Sequence, residues 1–269
     1  MLRIIDARSG EPTDAVPARR SLVRVHARPP GFDTTGLRVL LVADVLVRAL
    51  ELGGTPVWAT SGSVADPDAL RASAAALGIR PFEDHRDATG GPGATHTLQV
   101  LTPGSAATDA AASPGGTADD AAAGDVRVGV APVESGSGPE AGHGLGAGAG
   151  PGTDTGAPDP TVLRLALLQH RRDDPLRLDA AALAEAGDTL ARWRAAVAAW
   201  ATRPSRPVPE DVRQRLRAAW EDDLDVPGVL GVLRWVEKSD VPEGARFETY
   251  AYADRLLGLE LTRDIGAAS

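Results

Sequence analysis

Cysteine is absent from this chain of 269 residues and 27.7 kDa. That removes disulfides, thiolate zinc sites, iron–sulfur clusters and cysteine nucleophiles together. Lysine is almost as scarce: Lys238 is the only one among 28 basic residues. It lies in WVEKSD with no glycine-rich turn before it, which excludes a Walker A phosphate loop. A Schiff-base mechanism would rest on this single side chain. Positive charge is in deficit overall, 28 basic against 37 acidic residues, giving a net charge of -9 and a pI of about 5.1. Non-specific nucleic-acid binding depends on neutralising phosphates, so DNA is not an expected partner. No apolar run reaches about 18 residues, so no membrane partner is expected. The opening MLRIIDARSG has no apolar signal-peptide core, and a soluble cytoplasmic protein is the expectation.

What is present is unevenly spread. Ala131–Pro160 reads APVESGSGPEAGHGLGAGAGPGTDTGAPDP and has almost no side chain large enough to bury. Such a segment cannot offset its ordering entropy, and residues 131–160 are expected to be a Gly/Pro-rich linker. Residues 104–124 are rich in Ala, Ser, Thr, Gly and Asp and are expected to be a loop or disordered insert. Between the two, DVRVGV (Asp125–Val130) alternates as a short strand does. The chain therefore divides into a domain over 1–130 and another over 161–269.

The first part opens with strand-like pieces at Leu2–Ile5 and Leu22–His26. After the loop Ala27–Thr35, the segment Gly36–Leu52 is apolar nearly all round, which predicts a helix buried on a sheet, with Asp44 and Arg48 paired one turn apart. Gly53-Gly54 ends it, and TPVWA (Thr55–Ala59) is the next strand. Strand, helix, strand is a βαβ unit of a parallel sheet, whose ligands bind beyond the carboxyl ends of the strands. That rule points to the loop between His26 and Gly36. The second part reads as helices. Asp159 caps Pro160–Arg171, and Asp179 caps a long helix to about Thr202. On the long helix Leu183, Ala186, Leu190, Trp193, Val197 and Trp200 form one apolar stripe, as in a bundle. Helices follow over Pro209–Asp222, with Val212, Leu216 and Ala219 inward, and after the cap Asp225, with Leu230, Leu233 and Val236 inward. The last covers Arg246–Leu257. The fold class is thus α/β plus α: a reduced Rossmann-like parallel sheet domain followed by an α-helical bundle. Seven of the ten aromatic residues fall between Trp193 and Tyr252, which puts the better-packed core in the bundle.

The order of these pieces resembles cysteinyl-tRNA synthetases and the related cysteine ligase of mycothiol synthesis. MLRIIDARSGEP is similar to the short amino-terminal segment of that class I family, and FDTTGLRVLLVADVLVRALELGGTPV resembles its first active-site loop and helix. VLRLALLQHRRDDPLRLDAAALAEAGDTLARWRAA is similar to the stretch after the second signature, and WEDDLDVPGVLGVL to the acidic turn, proline and helix of its helical domain. The family binds ATP phosphates with a His-x-Gly-His at the helix start; here that place holds Thr34-Thr35-Gly36. Its lysine-rich mobile loop corresponds to the Gly-rich linker, which has no lysine, and the first cysteine of its zinc site to Ala27. The phosphates would lack their electrostatic clamp and the substrate thiol its metal. The resemblance therefore implies a degenerate, catalytically inactive paralogue that acts as a binding or regulatory protein on an unidentified protein partner, without cofactor. The alternatives are an ATP-dependent cysteine ligase with a rebuilt site, and a tRNA-binding module.

On this reading the vestige of the first signature, Asp33, Thr34, Thr35, Gly36 and Arg38, is the ligand-binding candidate, set against a plain helix cap by Asp33. No catalytic residue and no metal site is expected. His26, His85 and His96 with Asp84 or Asp87 lack ligand spacing, and the remaining His143 and His170 are scattered. Arg171-Arg172 beside Asp173-Asp174 reads as self-neutralised surface charge rather than an RNA contact, and Glu221-Asp222-Asp223 as a solvated helix end.

Overall fold

The computed structural model describes residues 1–16, 22–84, 96–103, 125–135 and 159–266. Residues 104–124, and all of the expected linker except 131–135 and 159–160, lie outside them, as do His85, Asp87 and His143. The chain forms two compact units. The first holds Met1–Ala75, Ile79–Val133 and Arg172–Leu176; the second holds Ala76–Gly78, Glu134–Arg171 and Arg177–Ser269.

The first unit is built on a five-stranded parallel sheet. Its strands are β3 (Val23–Arg28), β4 (Val57–Ser61), β5 (Glu83–Asp84), β6 (His96–Leu101) and β7 (Val126–Gly129), in the order β5-β4-β3-β6-β7. Two short strands, β1 (Arg3–Ile5) and β2 (Pro12–Asp14), pair antiparallel in a sheet of their own. The expected βαβ unit is β3, α1 (Thr34–Leu52) and β4. Helix α1 carries Leu37, Val39, Leu40, Leu41, Leu46 and Leu50 into the core. It packs on β3, β4 and β6. Its Asp44 is 1 % exposed and bonds Arg48 at 2.9 Å, the expected one-turn pair, and also Arg80 at 3.1 Å. A buried carboxylate needs such partners.

A second crossover helix, α2 (Pro67–Ala76), was not legible in the sequence. It is alanine-rich and buries only Leu70, Ser73 and Ala74, so its periodicity has little contrast. Residues 131–135, inside the expected linker, are ordered: Ala131 is buried, and β8 (Val133–Ser135) pairs with β9 (Leu176–Leu178).

The second unit carries helices α3 (Pro160–Leu168), α4 (Ala180–Trp200), α5 (Glu210–Glu221), α6 (Val226–Lys238) and α7 (Glu243–Leu257). Asp159, Asp179 and Asp225 cap α3, α4 and α6 through Thr161, Ala182 and Gly228 N–H groups, as expected. The α4 stripe is buried from Ala186 to Trp200, while Leu183 at its start is half-buried. Trp193 is fully buried and meets Tyr250 edge-on, ring centroids 5.7 Å apart; Trp200 meets the same ring at 5.2 Å. The polar ends of this aromatic core are satisfied. The Trp193 indole N–H donates to Glu237 at 3.2 Å, and the Tyr250 hydroxyl to the Leu233 carbonyl at 2.9 Å. Gly258, at φ 61, turns the chain out of α7, and Asp254 accepts from the Leu259 and Leu261 N–H groups beyond it. Among the described residues no helix is long and apolar enough to cross a membrane.

Candidate functional site

The sheet order reverses between β3 and β6, so the carboxyl end of β3 and the loop into α1 lie at the switch point where open parallel sheets bind ligands. The expected residues are there, but their functional groups are engaged in the fold. Asp33 has extended backbone and caps α1, its carboxylate accepting from the Gly36 N–H at 2.7 Å. The Thr35 hydroxyl accepts from the Val133 N–H at 3.1 Å. Gly36 is a steric requirement, because a Cβ there would collide with the carbonyl oxygen of Gly31, which folds over the helix start. Thr34 is half-buried at the first turn. Asp33 itself is exposed, so the helix start presents a carboxylate where an anion would have to approach.

Arg38 is 1 % exposed. Its guanidinium donates to the carbonyls of Ala131 and Asp174, each at 2.9 Å. Burial lowers its pKa, and the Asp174 and Asp173 carboxylates offset part of that shift. The carbonyl of Asp174 reaches Arg38 because residues 172–176 return to the sheet unit. The Ala131 N–H donates to the Arg172 carbonyl at 2.8 Å, and the Leu176 N–H to that of Pro132 at 3.2 Å.

The same stretch corrects the reading of the basic pair. Arg172 is 7 % exposed and donates to the carbonyls of Gly129 and Ile5, at 2.7 and 3.2 Å. Arg171 belongs to the other unit and pairs with Asp223 at 3.2 Å and Asp225 at 3.8 Å. Neither is self-neutralised surface charge. Asp223 also departs from the expected solvated helix end. It is 4 % exposed, and with Leu224 it stands at φ 55 in the turn between α5 and α6. Two successive left-handed non-glycine residues are strained, and the first of them carries the carboxylate that pairs with Arg171.

Of the described histidines, His26 and His96 do not converge. His96 is opposite Val23 in the sheet register, and His26 is opposite Gln99, three residues further along β6. An odd offset puts them on opposite faces. His26 lies instead with Arg24, Arg28 and Arg127 on the face away from α1. There its Nδ1 is 2.9 Å from the Thr60 hydroxyl, to which Arg24 also donates at 3.2 Å. Burial and the nearby Arg127 lower the pKa of Arg28. Sequence reading missed this cluster, although the strict alternation of β3 signals it: Val23, Val25 and Ala27 are buried, while Arg24, His26 and Arg28 are half-buried. Among the described residues no group of three or more His, Asp or Glu side chains is arranged to hold a metal. In the helical unit Trp193 is closed to any stacking ligand, whereas Trp235 is 42 % exposed with the Arg215 guanidinium 4.7 Å from its ring centre.

No protein-family model matches the chain. Parts of it are similar to curated proteins named L-cysteine:1D-myo-inositol 2-amino-2-deoxy-alpha-D-glucopyranoside ligase. The protein of that name from Streptosporangium roseum is 40 % identical over 108 residues, covering 38 % of this chain and 26 % of that protein. The one from Streptomyces griseus is 42 % identical over 109 residues, covering 38 % and 25 %. The one from a Parafrankia species is 47 % identical over 75 residues, covering 28 % and 16 %. Homologues at about 40 % identity over about a third of the chain thus carry the name of a cysteine ligase, and the chain spans about a quarter of their length at most.

Proposed function

We propose that this chain is a non-catalytic relative of the cysteine ligases, a cytoplasmic binding or regulatory protein that keeps their scaffold without their activation chemistry. The observation that carries the reading is Arg38. It is the basic residue nearest the start of α1 along the chain, and its guanidinium donates to two backbone carbonyls inside the fold. Transfer of an adenylyl group needs positioned cations around a highly charged phosphate, and losing one such donor commonly slows the reaction about two to three orders of magnitude. Here the helix start offers the Asp33 carboxylate and two threonine hydroxyls instead. The absence of cysteine and the single lysine support the same reading.

The test is cysteine-dependent ATP–pyrophosphate exchange with the full chain, together with calorimetric titration of ATP. The expected outcome is no exchange and no tight ATP binding. The names of the relatives favour a second reading, a ligase with a rebuilt site. Exchange that is abolished by Asp33→Ala or Arg38→Ala would replace the first reading by that one.

A further inference from the structure

Behind the carboxyl end of β4 lies a cavity of about 440 Å³ that no residue from Asp33 to Arg38 borders. Its floor is Leu40 of α1, one wall is Leu70 and Ala74 of α2, and the segment from Ile79 to Phe82 closes the other side. Gly62 to Val64, in the loop leaving β4, form its rim. The space follows from the sequence of α2. That helix is built largely of alanine, and at Ala74 and Ala75 it sets methyl groups where longer side chains would fill the volume. What remains is at the lower end of the range for small-molecule sites, which are mostly apolar.

The charged groups at the edge of the cavity are already matched to one another. Arg71 bonds Asp68 at 2.9 Å and lies 3.8 Å from Asp84, which also borders the cavity. Arg80 bonds Asp44 at 3.1 Å and Glu51 at 2.7 Å, and its Nη2 is buried out of a ligand's reach. An anion would have to draw a guanidinium away from its carboxylate and then lie beside that carboxylate. A cation would face Arg71 and Arg80. Either charge would lose hydration without gaining a partner of its own. Water also gains little inside, because apolar walls offer it few hydrogen bonds. A neutral apolar molecule leaves both sets of ion pairs in place and withdraws apolar surface from water.

We propose that this cavity binds a small, neutral, largely apolar molecule, held between the alanine surface of α2 and Phe82. The site is independent of the start of α1 and stands whether or not the chain has ligase activity.

N-phenyl-1-naphthylamine is a neutral dye, and 1-anilinonaphthalene-8-sulfonate is the same skeleton carrying one sulfonate. Fluorescence titration of each into the full chain tests the proposal. The neutral dye is expected to saturate at one per chain and to raise the melting temperature, since it binds the folded state. The sulfonate is expected to bind at least about tenfold more weakly, because its charge enters without a partner. Arg71→Gln should leave the affinity of the neutral dye within about twofold, since the exposed ion pairs of Arg71 hold little in place. Ser63→Trp on the rim and Ala75→Phe on α2 are both at exposed positions. Each should weaken the neutral dye at least about tenfold by filling the space it needs. Equal or tighter binding of the sulfonate would overturn the proposal. So would binding of the neutral dye that survives both Ser63→Trp and Ala75→Phe, or no saturable binding at all.

Discussion

The two units bury charge in the same way but draw their cores from different kinds of segment. In the helical unit Arg194 is 4 % exposed, pairs with Asp159 at 2.9 Å and donates to the carbonyls of Leu259 and Glu260. Arg164 is fully buried and donates to the carbonyls of Leu77 and Leu257. In the sheet unit Arg38 and Arg172 donate to carbonyls in the same manner, across 43 to 167 positions, while the carbonyl bonds of Arg194 and Arg164 span 65 to 93. The core of the helical unit comes from stripes within continuous helices, and its buried arginines project from inside α3 and α4. The sheet unit depends on remote segments, 125–133 and 172–176, being brought back to the first helix and strand. In both units an arginine on backbone carbonyls ties together segments remote in sequence; the units differ in that one core is built from continuous helices and the other from returning segments.

The strongest test of this contrast strikes the aromatic core. Trp193→Ala removes a fully buried indole, its edge-on contact with Tyr250 and its bond to Glu237. It is expected to destabilise the chain by about 3–5 kcal/mol, read from urea unfolding followed by far-ultraviolet circular dichroism. Leu183→Ala, half-buried on the same stripe, should cost well under half of that. Equal effects would mean that the stripe is not the core. Next comes the frame of the sheet unit. Arg38→Met keeps much of the side-chain volume but leaves the carbonyls of Ala131 and Asp174 without their donor. A loss of roughly 2–3 kcal/mol is expected, with no change in ATP titration. Unchanged stability together with lost ATP binding would return Arg38 to the site and undo the non-catalytic reading.

How much of this was legible in the sequence follows the same division. Asp159, Asp179 and Asp225 precede apolar periodic runs, and each of them caps a helix. Asp44 and Arg48 sit one turn apart and pair. These are local signals, settled within four residues. Arg80, the second partner of Asp44, lies 36 positions away and left no trace. Arg171-Arg172-Asp173-Asp174 read as one neutral cluster because its true partners are remote in sequence and, for Arg172, are backbone carbonyls, which every residue possesses. The stretch from Asp33 to Arg38 lies at the switch point of the sheet, but what its groups do there depends on Val133, Ala131 and Asp174. Helix α2 was invisible for a related reason: built largely of alanine, it lacks contrast.

A pH experiment sharpens the role of the clasp in the helical unit. Burial alone would raise the pKa of Asp159, but Arg194, the Thr161 N–H and the charge on Arg194 outweigh it and hold the carboxyl at about 2, against 3.8 for the ordinary group. A carboxylate with a depressed folded-state pKa stabilises the fold above its unfolded value and loses that contribution as pH falls through the folded one. The difference corresponds to roughly 2 kcal/mol, fully present above pH about 4 and lost between there and pH about 2. Asp159→Asn keeps a capping oxygen for α3 but not the charge, so its unfolding free energy should vary less with pH than that of the parent across this window. Parallel curves for the two would mean that Arg194 is held by the Leu259 and Glu260 carbonyls and not by Asp159.

The smallest effect falls where the two readings of the α1 start meet. As a helix cap, Asp33 contributes through one hydrogen bond to the Gly36 N–H and its charge near the positive end of the helix. Asp33→Ala should therefore cost about 1 kcal/mol, and Asp33→Asn, which keeps the capping oxygen, a few tenths. As a ligand-binding group it would behave differently, because a neutral side chain at the helix start lets an anion approach. Inorganic pyrophosphate titrated into the parent, Asp33→Ala and Asp33→Asn separates the two roles. A cap alone predicts that stability ranks parent, Asn, Ala, while pyrophosphate affinity stays below detection in all three, since Arg38 remains turned into the fold. Pyrophosphate binding that emerges in both variants would show the helix start to be a phosphate site closed only by its own carboxylate. The loss of phosphate binding at the start of α1 would then rest on a single side chain.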